Sequence, residues 1–192
     1  MIMKIVLATS NEHKVKEINA IVAGTGVEFV LPPKGFDPIE DGLTFEENSK
    51  IKAIEAWKVS NTWSLADDSG LCINSLGGKP GIYSARYADT PQSRINRVLK
   101  EMDGQTDRTA CFKCAMTLVN PNGDVVFAYT GVCEGSIIDS QRGVNGFGYD
   151  PIFLLKNSTK TMAELSDDEK NKVSHRSKAL VKVLEYINSI KF

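Results

Sequence analysis

Two adjacent acids, Asp67 and Asp68, stand in the segment SLADDSGL between two short apolar runs. Neighbouring carboxylates at a strand end repel each other unless a cation or a division of catalytic labour separates them. Divalent magnesium would do so, because it prefers oxygen ligands and keeps waters that can be activated. The same residue types also suit an ordinary strand-to-turn corner, where Asp, Ser and Gly are common. Further polar clusters, early and late in the chain, bear on that choice.

The segment TSNEHK carries Thr9, Ser10, Asn11, Glu12, His13 and Lys14. A strand ends there and a helix begins, which exposes backbone amides and the positive end of a helix dipole to an anion. Lys14 could reach a phosphate from the first turn, although the glycine spacing of a P-loop is absent. A plain helix cap is the alternative. In TFEEN, Thr44 and Glu47 have the spacing of a capping box, and Glu47 could instead ligate a metal together with an acid of the Asp67-Asp68 pair. In GVNGFGYDP, three glycines permit close backbone approach to a ligand. Phe147 and Tyr149 offer flat faces for a base, flanking Gly148, and Asp150 can accept from a ring N–H. In EKNKVSHRS, Arg176 falls close to the apolar stripe of a helix, where a cation needs a partner. Lys170, His175 and Arg176 together would donate to a purine oxygen or a phosphate; a solvated helix with ordinary charges reads equally well.

The elements that must position these groups alternate. Residues 4–8 form a strand and residues 14–22 a helix with apolar residues at Val15, Ile18, Ile21 and Val22. A strand at 28–31 leads into a loop with three prolines, and a helix runs from Thr44 to about Val59. Short strands at 64–66 and 71–76 flank the acidic corner. Pro91 opens a further helix, to about Met102. Strands at 110–119 and 125–130 surround a Pro-Asn-Gly turn. The last long segment is helical to about Ile190, with a stripe at Val173, Leu180, Leu184 and Ile187. This order predicts an α/β fold with a mixed sheet.

Bulk properties narrow the function. A chain of 192 residues suits one domain, of one lobe or two. With 42% hydrophobic and 24% charged residues it has an ordinary globular composition. A formal net charge of −1 provides no global basic field for nucleic acid, so phosphate chemistry must rely on local cations and amides. No apolar stretch is long enough to span a membrane, and the first residues read as a buried strand rather than a secretory signal. Cys111 and Cys114 form a C-x-x-C within a strand, where that spacing sends side chains to opposite faces. No second pair with zinc spacing accompanies them. Buried small hydrophobes in a reducing cytoplasm are therefore expected.

TSNEHK, TFEEN, ADDSGL, GGKPGIYSARY, GFGYDPIF and SHR occur in one order over almost the full chain. Each is weak alone. Together they resemble the inosine triphosphate pyrophosphatase family, whose bacterial members are dITP/XTP pyrophosphatases. The resemblance implies an elongated, twisted mixed sheet with flanking helices in two lobes around a central cleft, residues 1–192 forming one catalytic domain, a cytoplasmic homodimer and magnesium dependence. It implies hydrolysis of ITP, dITP and XTP to monophosphate and pyrophosphate, which removes deaminated purines from the nucleotide pool. Carried over, residues 9–14 would grip the triphosphate, chiefly through Asn11 and Lys14. Glu47 and Asp68 would hold magnesium, Asp68 would be the catalytic carboxylate with Asp67 assisting, and Ser69 would touch the substrate. Residues 147–150, Lys170, His175 and Arg176 would surround the base and phosphates. A related pyrophosphatase acting on pyrimidine or methylated nucleotides, and a non-catalytic nucleotide-binding module, are the alternatives.

Selectivity would need two tests of the base. A donor such as His175 or Arg176 aimed at position 6 meets an oxygen in hypoxanthine and xanthine but an amine in adenine. Guanine shares the 6-oxygen, so its rejection must act at the 2-amino group, for which the backbone of residues 146–150 is the candidate.

Overall fold

The computed structural model describes residues 2–190, with Glu12 and His13 described by backbone alone. A six-stranded sheet has the order β2-β1-β3-β4-β5-β6, with β1 (Met3–Leu7) parallel to β2 (Val27–Val30) and to β3 (Ser64–Ile73). β4 (Thr109–Val119) and β5 (Val125–Ile137) follow, and the short β6 (Phe153–Leu155) runs antiparallel to β5. The sheet is mixed, as the alternation predicts. The principal helices are α1 (Glu12–Val22), α2 (Phe45–Ser60), α3 (Pro91–Glu101), α4 (Asp167–Val173) and α5 (His175–Ile190). None of the described helices is long and apolar enough to cross a membrane.

The chain divides into two compact units, and the long strands pass through both. In the first unit the sheet separates two cores. Ile5, Leu7, Leu65, Cys114, Met116 and Leu118 pack with Ile18 of α1 and Leu180, Val183 and Ile187 of α5. Val6, Ala8, Ala66 and Val119 pack with Ala53 and Ala56 of α2. The alternation Leu65/Ala66 between these cores follows from the two-residue period of a strand. Small residues let α2 lie close to the sheet: Ser49 Oγ donates to the Ala66 carbonyl at 3.1 Å and Ser64 Oγ to that of Ala53 at 2.7 Å. Each large apolar side chain removed from water contributes about 1.5–3 kcal/mol, so these facing cores fix β3 firmly. The second unit has its own core, with Leu71, Ile73, Val98, Phe112, Tyr149, Ile152 and Phe153.

Three departures from the sequence reading have physical causes. Asp67 and Asp68 do not end a strand; β3 continues through them without a corner. β5 extends beyond residue 130 to Ile137 despite Gly131 and Gly135. A Cβ on Gly135 would lie 2.2 Å from the Leu154 carbonyl oxygen, so glycine there admits β6 rather than stopping the strand. The final helix is two helices, broken at Ser174, whose ψ of 153° is extended. The cysteines also divide: Cys114 and Cys133 are buried as expected, whereas Cys72 and Cys111 are half-exposed.

Candidate active site

Strand alternation resolves the repulsion between the paired acids. Asp67 shares the Leu65 face and Asp68 the Ala66 face, so each carboxylate meets a different set of cations. Asp67 is 1% exposed. Its Oδ1 lies 2.6 Å from Lys14 Nζ, and its Oδ2 accepts from Arg176 Nε at 3.0 Å and from the Cys114 thiol at 3.3 Å. Arg176 is equally buried and also donates through Nη1 to Glu17 of α1. Burial pushes the Asp67 carboxyl up, but Lys14 and then Arg176 outweigh it and hold the group well below the usual carboxylate range. Burial pushes the Cys114 thiol well up, assisted by the Asp67 charge.

Asp68 has a different environment. Its Oδ1 accepts from Lys52 Nζ of α2 at 2.9 Å, and the same ammonium lies 3.3 Å from Glu40 Oε1. Asp68 Oδ2 is buried, with no hydrogen-bond partner among the described residues. Burial pushes this carboxyl above its usual range, against the pull of Lys52. A buried acceptor left unsatisfied costs about 1–3 kcal/mol, which a bound ligand or ion would recover.

Parallel pairing of Leu7 with Leu65 brings the carboxyl end of β1 beside Asp67. Residues 9–11 then cap α1: Asn11 N donates to Thr9 Oγ1 at 3.1 Å, and Asn11 Oδ1 accepts from Lys14 N at 3.3 Å. The cap reading is realised; a cap satisfies only part of a helix's first-turn amides, so it does not oppose anion binding. Ser10 is exposed beside them. The side chains of Glu12 and His13 lie outside the described residues. At α2, Thr44 Oγ1 accepts from Glu47 N at 3.1 Å, while Glu47 Oε2 accepts from Leu43 N at 2.6 Å. Glu47 thus folds back as a cap, on the residue before the one its spacing indicates, and remains exposed.

The second unit assembles the other cluster. Asp150 Oδ2 accepts from Lys170 Nζ at 2.8 Å and from Phe147 N at 2.9 Å, and Lys170 Nζ stands 4.6 Å from the centroid of the Phe147 ring. Asp150 and Lys170 are both buried. Gly146 has φ +72°, and a Cβ there would lie 2.2 Å from Asp150 Oδ2. Tyr149 is buried in the core and its hydroxyl donates to the Ser84 carbonyl at 2.9 Å, leaving half-buried Phe147, beside Gly148, as the accessible aromatic of this loop. His175 stacks on Phe112 with ring centroids 4.9 Å apart. Ser69 opens this unit on β3, and the next residue, Gly70, is compelled to be small because a Cβ would meet Ser84 Oγ at 2.4 Å. That hydroxyl accepts from Leu71 N at 2.9 Å and donates to the Gly81 carbonyl at 2.6 Å.

The structure therefore brings Lys14, Asp67 and Arg176 together, and separately Phe147, Asp150 and Lys170. Sequence reasoning missed Lys52 and Glu40. Lys52 was detectable: with Phe45, Asn48, Ser49 and Ala56 it lies on the buried face of α2, where an ammonium requires a partner. Glu40 sits in an irregular loop that carries no periodic signal.

An α/β sheet here presents a cation-paired carboxylate with an oxygen unpaired among the described residues, and a separate aromatic–acid–lysine cluster. Residues 5–186 match the model of the Ham1 family, and the chain belongs to that family. It is 41% identical over 188 residues to a dITP/XTP pyrophosphatase of Synechocystis sp., covering 98% of this chain and 97% of that protein. A dITP/XTP pyrophosphatase of Gloeobacter violaceus is 45% identical, with 96% and 94% covered. Among solved structures, a Ham1 protein from Coxiella burnetii superposes with a TM-score of 0.89 at 39% identity, covering 98% of this chain and 100% of that one. The Staphylococcus aureus Ham1 protein gives 0.88 at 36% identity, with 98% and 100% covered.

Proposed function

We propose that this chain hydrolyses the non-standard purine nucleoside triphosphates ITP, dITP and XTP to monophosphate and pyrophosphate, with magnesium as cofactor. The reading extends to residues 1–192 acting as one catalytic domain in a cytoplasmic homodimer. The observation that carries it is the buried Asp68 Oδ2 beside Lys52, unpartnered among the described residues, in a chain whose relatives are named for this activity.

The donor set suits magnesium. Among the described residues no three His, Cys, Asp or Glu side chains gather into a cage. Magnesium does not need one, since it is commonly held by one or two carboxylates, waters and substrate phosphates. Asp68 Oδ2 would be the primary oxygen, with Glu47, or Glu40 on the shared Lys52 ammonium, as the second. When bound, the ion neutralises triphosphate oxygens and acidifies water.

The chain's own groups account for the rest. Lys52 fixes Asp68 through Oδ1, and the carboxylate, through the lone pairs the ion would leave it, orients the attacking water and accepts its proton. Lys14 and the α1 amides stabilise charge on the departing pyrophosphate. Asp67 positions Lys14 and Arg176 rather than reacting, because both its oxygens are engaged. In the second unit Asp150 holds Lys170 against Phe147, whose ring stacks on the base. With two nitrogens of Arg176 committed to Asp67 and Glu17, Lys170 and His175 are the better donors for a 6-oxygen.

One unmatched buried polar group costs about 1–3 kcal/mol, so ITP and XTP should be cleaved about ten- to a hundredfold faster than ATP. Hydrolysis of ITP, XTP, GTP and ATP at equal concentrations with magnesium tests the assignment, and similar rates for all four would refute it. Gly146→Ala probes the base cluster. Asp150 is pinned by Lys170 and the Phe147 amide and cannot yield cheaply to the new methyl. The variant should raise KM for ITP about tenfold, equivalent to ~1.4 kcal/mol, with kcat much less affected; an unchanged KM would dissociate this cluster from substrate.

A further inference from the structure

We infer that Asn48 holds the attacking water against Asp68, an inference that rests on the hydrolytic reading above. Asn48 is fully buried, on the face of α2 that also carries Ser49 and Lys52. Ser49 Oγ donates to the Ala66 carbonyl and Ser64 Oγ to that of Ala53, so α2 runs against the direction of β3. Four helix residues and two strand residues advance by nearly equal lengths, about 6 and 6.6 Å. The turn before Ser49 therefore faces the strand beyond Ala66, where Asp68 is the next side chain on that face. Lys52, one turn later, leans back towards the helix N-terminus to reach Asp68 Oδ1 at 2.9 Å. By that register Asn48 stands closer along the helix to the level of Asp68 than Lys52 does.

Asn48 Oδ1 accepts from Gly42 N at 2.9 Å. Only the oxygen of an amide can accept from an N–H, so this bond also fixes the side on which Nδ2 lies. Gly42 has no room for a Cβ, which would stand 2.7 Å from Oδ1, so its backbone holds the amide closely. Among the described residues, two buried atoms on this face have no hydrogen-bond partner: Asn48 Nδ2 and Asp68 Oδ2. The first can only donate and the second, ionised, can only accept. A molecule that satisfies both must accept and donate at once. Water does so, whereas the oxygens of an ionised triphosphate only accept. Buried waters typically make such bonds to otherwise unsatisfied groups. Water held here donates one hydrogen to the Asp68 carboxylate and accepts from Nδ2 through one lone pair, leaving its second lone pair for phosphorus. As the new O–P bond forms, the water proton passes to Asp68 and the anhydride O–P bond breaks, its electron pair leaving with pyrophosphate. Nδ2 keeps its hydrogens throughout.

A crystal structure of the ligand-free, full-length protein should show an ordered water within hydrogen-bond reach of both Asn48 Nδ2 and Asp68 Oδ2. An empty position there, or Nδ2 bonded to another protein group, would overturn the inference whatever the activity. Turnover of ITP with magnesium gives a second readout. Asn48→Asp keeps an oxygen for the Gly42 amide but loses the donor, and Asn48→Ala loses both. Each should lower kcat about ten- to a hundredfold, the cost of a misplaced reactant, while KM stays close to the wild-type value. If Asn48 served only to hold Gly42, Asn48→Asp would turn over normally and Asn48→Ala alone would suffer. If a new charge near Asp68 were the cause, Asn48→Ala would be spared. Either pattern removes Asn48 from the water. Wild-type protein that released no pyrophosphate from ITP would instead defeat the hydrolytic reading, and this inference with it.

Discussion

Asp68→Asn should slow ITP hydrolysis at least ~100-fold, the low end for loss of a general base, while folding is retained. Asn has nearly the same shape, and its carbonyl oxygen can still accept from Lys52, whose ammonium keeps Glu40 as a partner 3.3 Å away. What disappears is the negative charge and proton affinity at Oδ2, a buried oxygen with no donor among the described residues. Measuring kcat beside the urea midpoint separates chemistry from stability. Lys52→Met is the control for the alternative in which Asp68 merely anchors a lysine. If that were its whole purpose, the two substitutions would cost turnover alike and both would lower the midpoint. Near-normal turnover by Asp68→Asn with its fold intact would remove Asp68 from the chemistry.

Arg176→Leu should destabilise the protein by about 3–5 kcal/mol, the penalty for removing one partner of a buried ion pair. Arg176 is 1% exposed and bonds Asp67 of β3 and Glu17 of α1. Leucine would fill part of the space but leave Asp67 with the Lys14 ion pair and the more distant Lys52 charge, and Glu17 without this donor. The effect should appear in urea as a lower midpoint at an unchanged slope. Lys58→Ala provides the contrast: its pair with Glu55 lies on an exposed helix face, where such pairs contribute little or nothing measurable. Comparable losses in the two variants would mean that the buried network does not hold α1 and α5 to the sheet. Arg176→Lys should recover only part of the loss, because an ammonium lacks the guanidinium fork that reaches two acids at once.

The candidate residues stood out in the sequence more fully than their geometry. Asp67 and Asp68 were visible as a pair, but the pairing suggested a shared cation at a strand end. The strand instead divides them, and the cations come from residues 53, 109 and 16 positions away for Lys14, Arg176 and Lys52. A local window cannot show such partners; what it can show is a cation on a buried helical face. That logic reached Arg176 and applied equally to Lys52. Glu47 shows the converse, since the spacing that marks a cap produces one in the structure. Tyr149 and Phe147 are indistinguishable as aromatics in a glycine-rich loop, yet the Tyr149 hydroxyl has a buried carbonyl to satisfy and the Phe147 ring does not. The helix break at Ser174 was hidden because Val173 and Leu180 are seven residues apart, so the apolar stripe appears continuous across it.

Product identity is the most direct measurement of the proposed chemistry. With dITP and magnesium, the protein should release one pyrophosphate for each deoxyinosine monophosphate formed, and removing magnesium with a chelator should stop both together. Orthophosphate with deoxyinosine diphosphate, or undiminished turnover in the chelator, would contradict a magnesium-assisted cleavage that expels pyrophosphate.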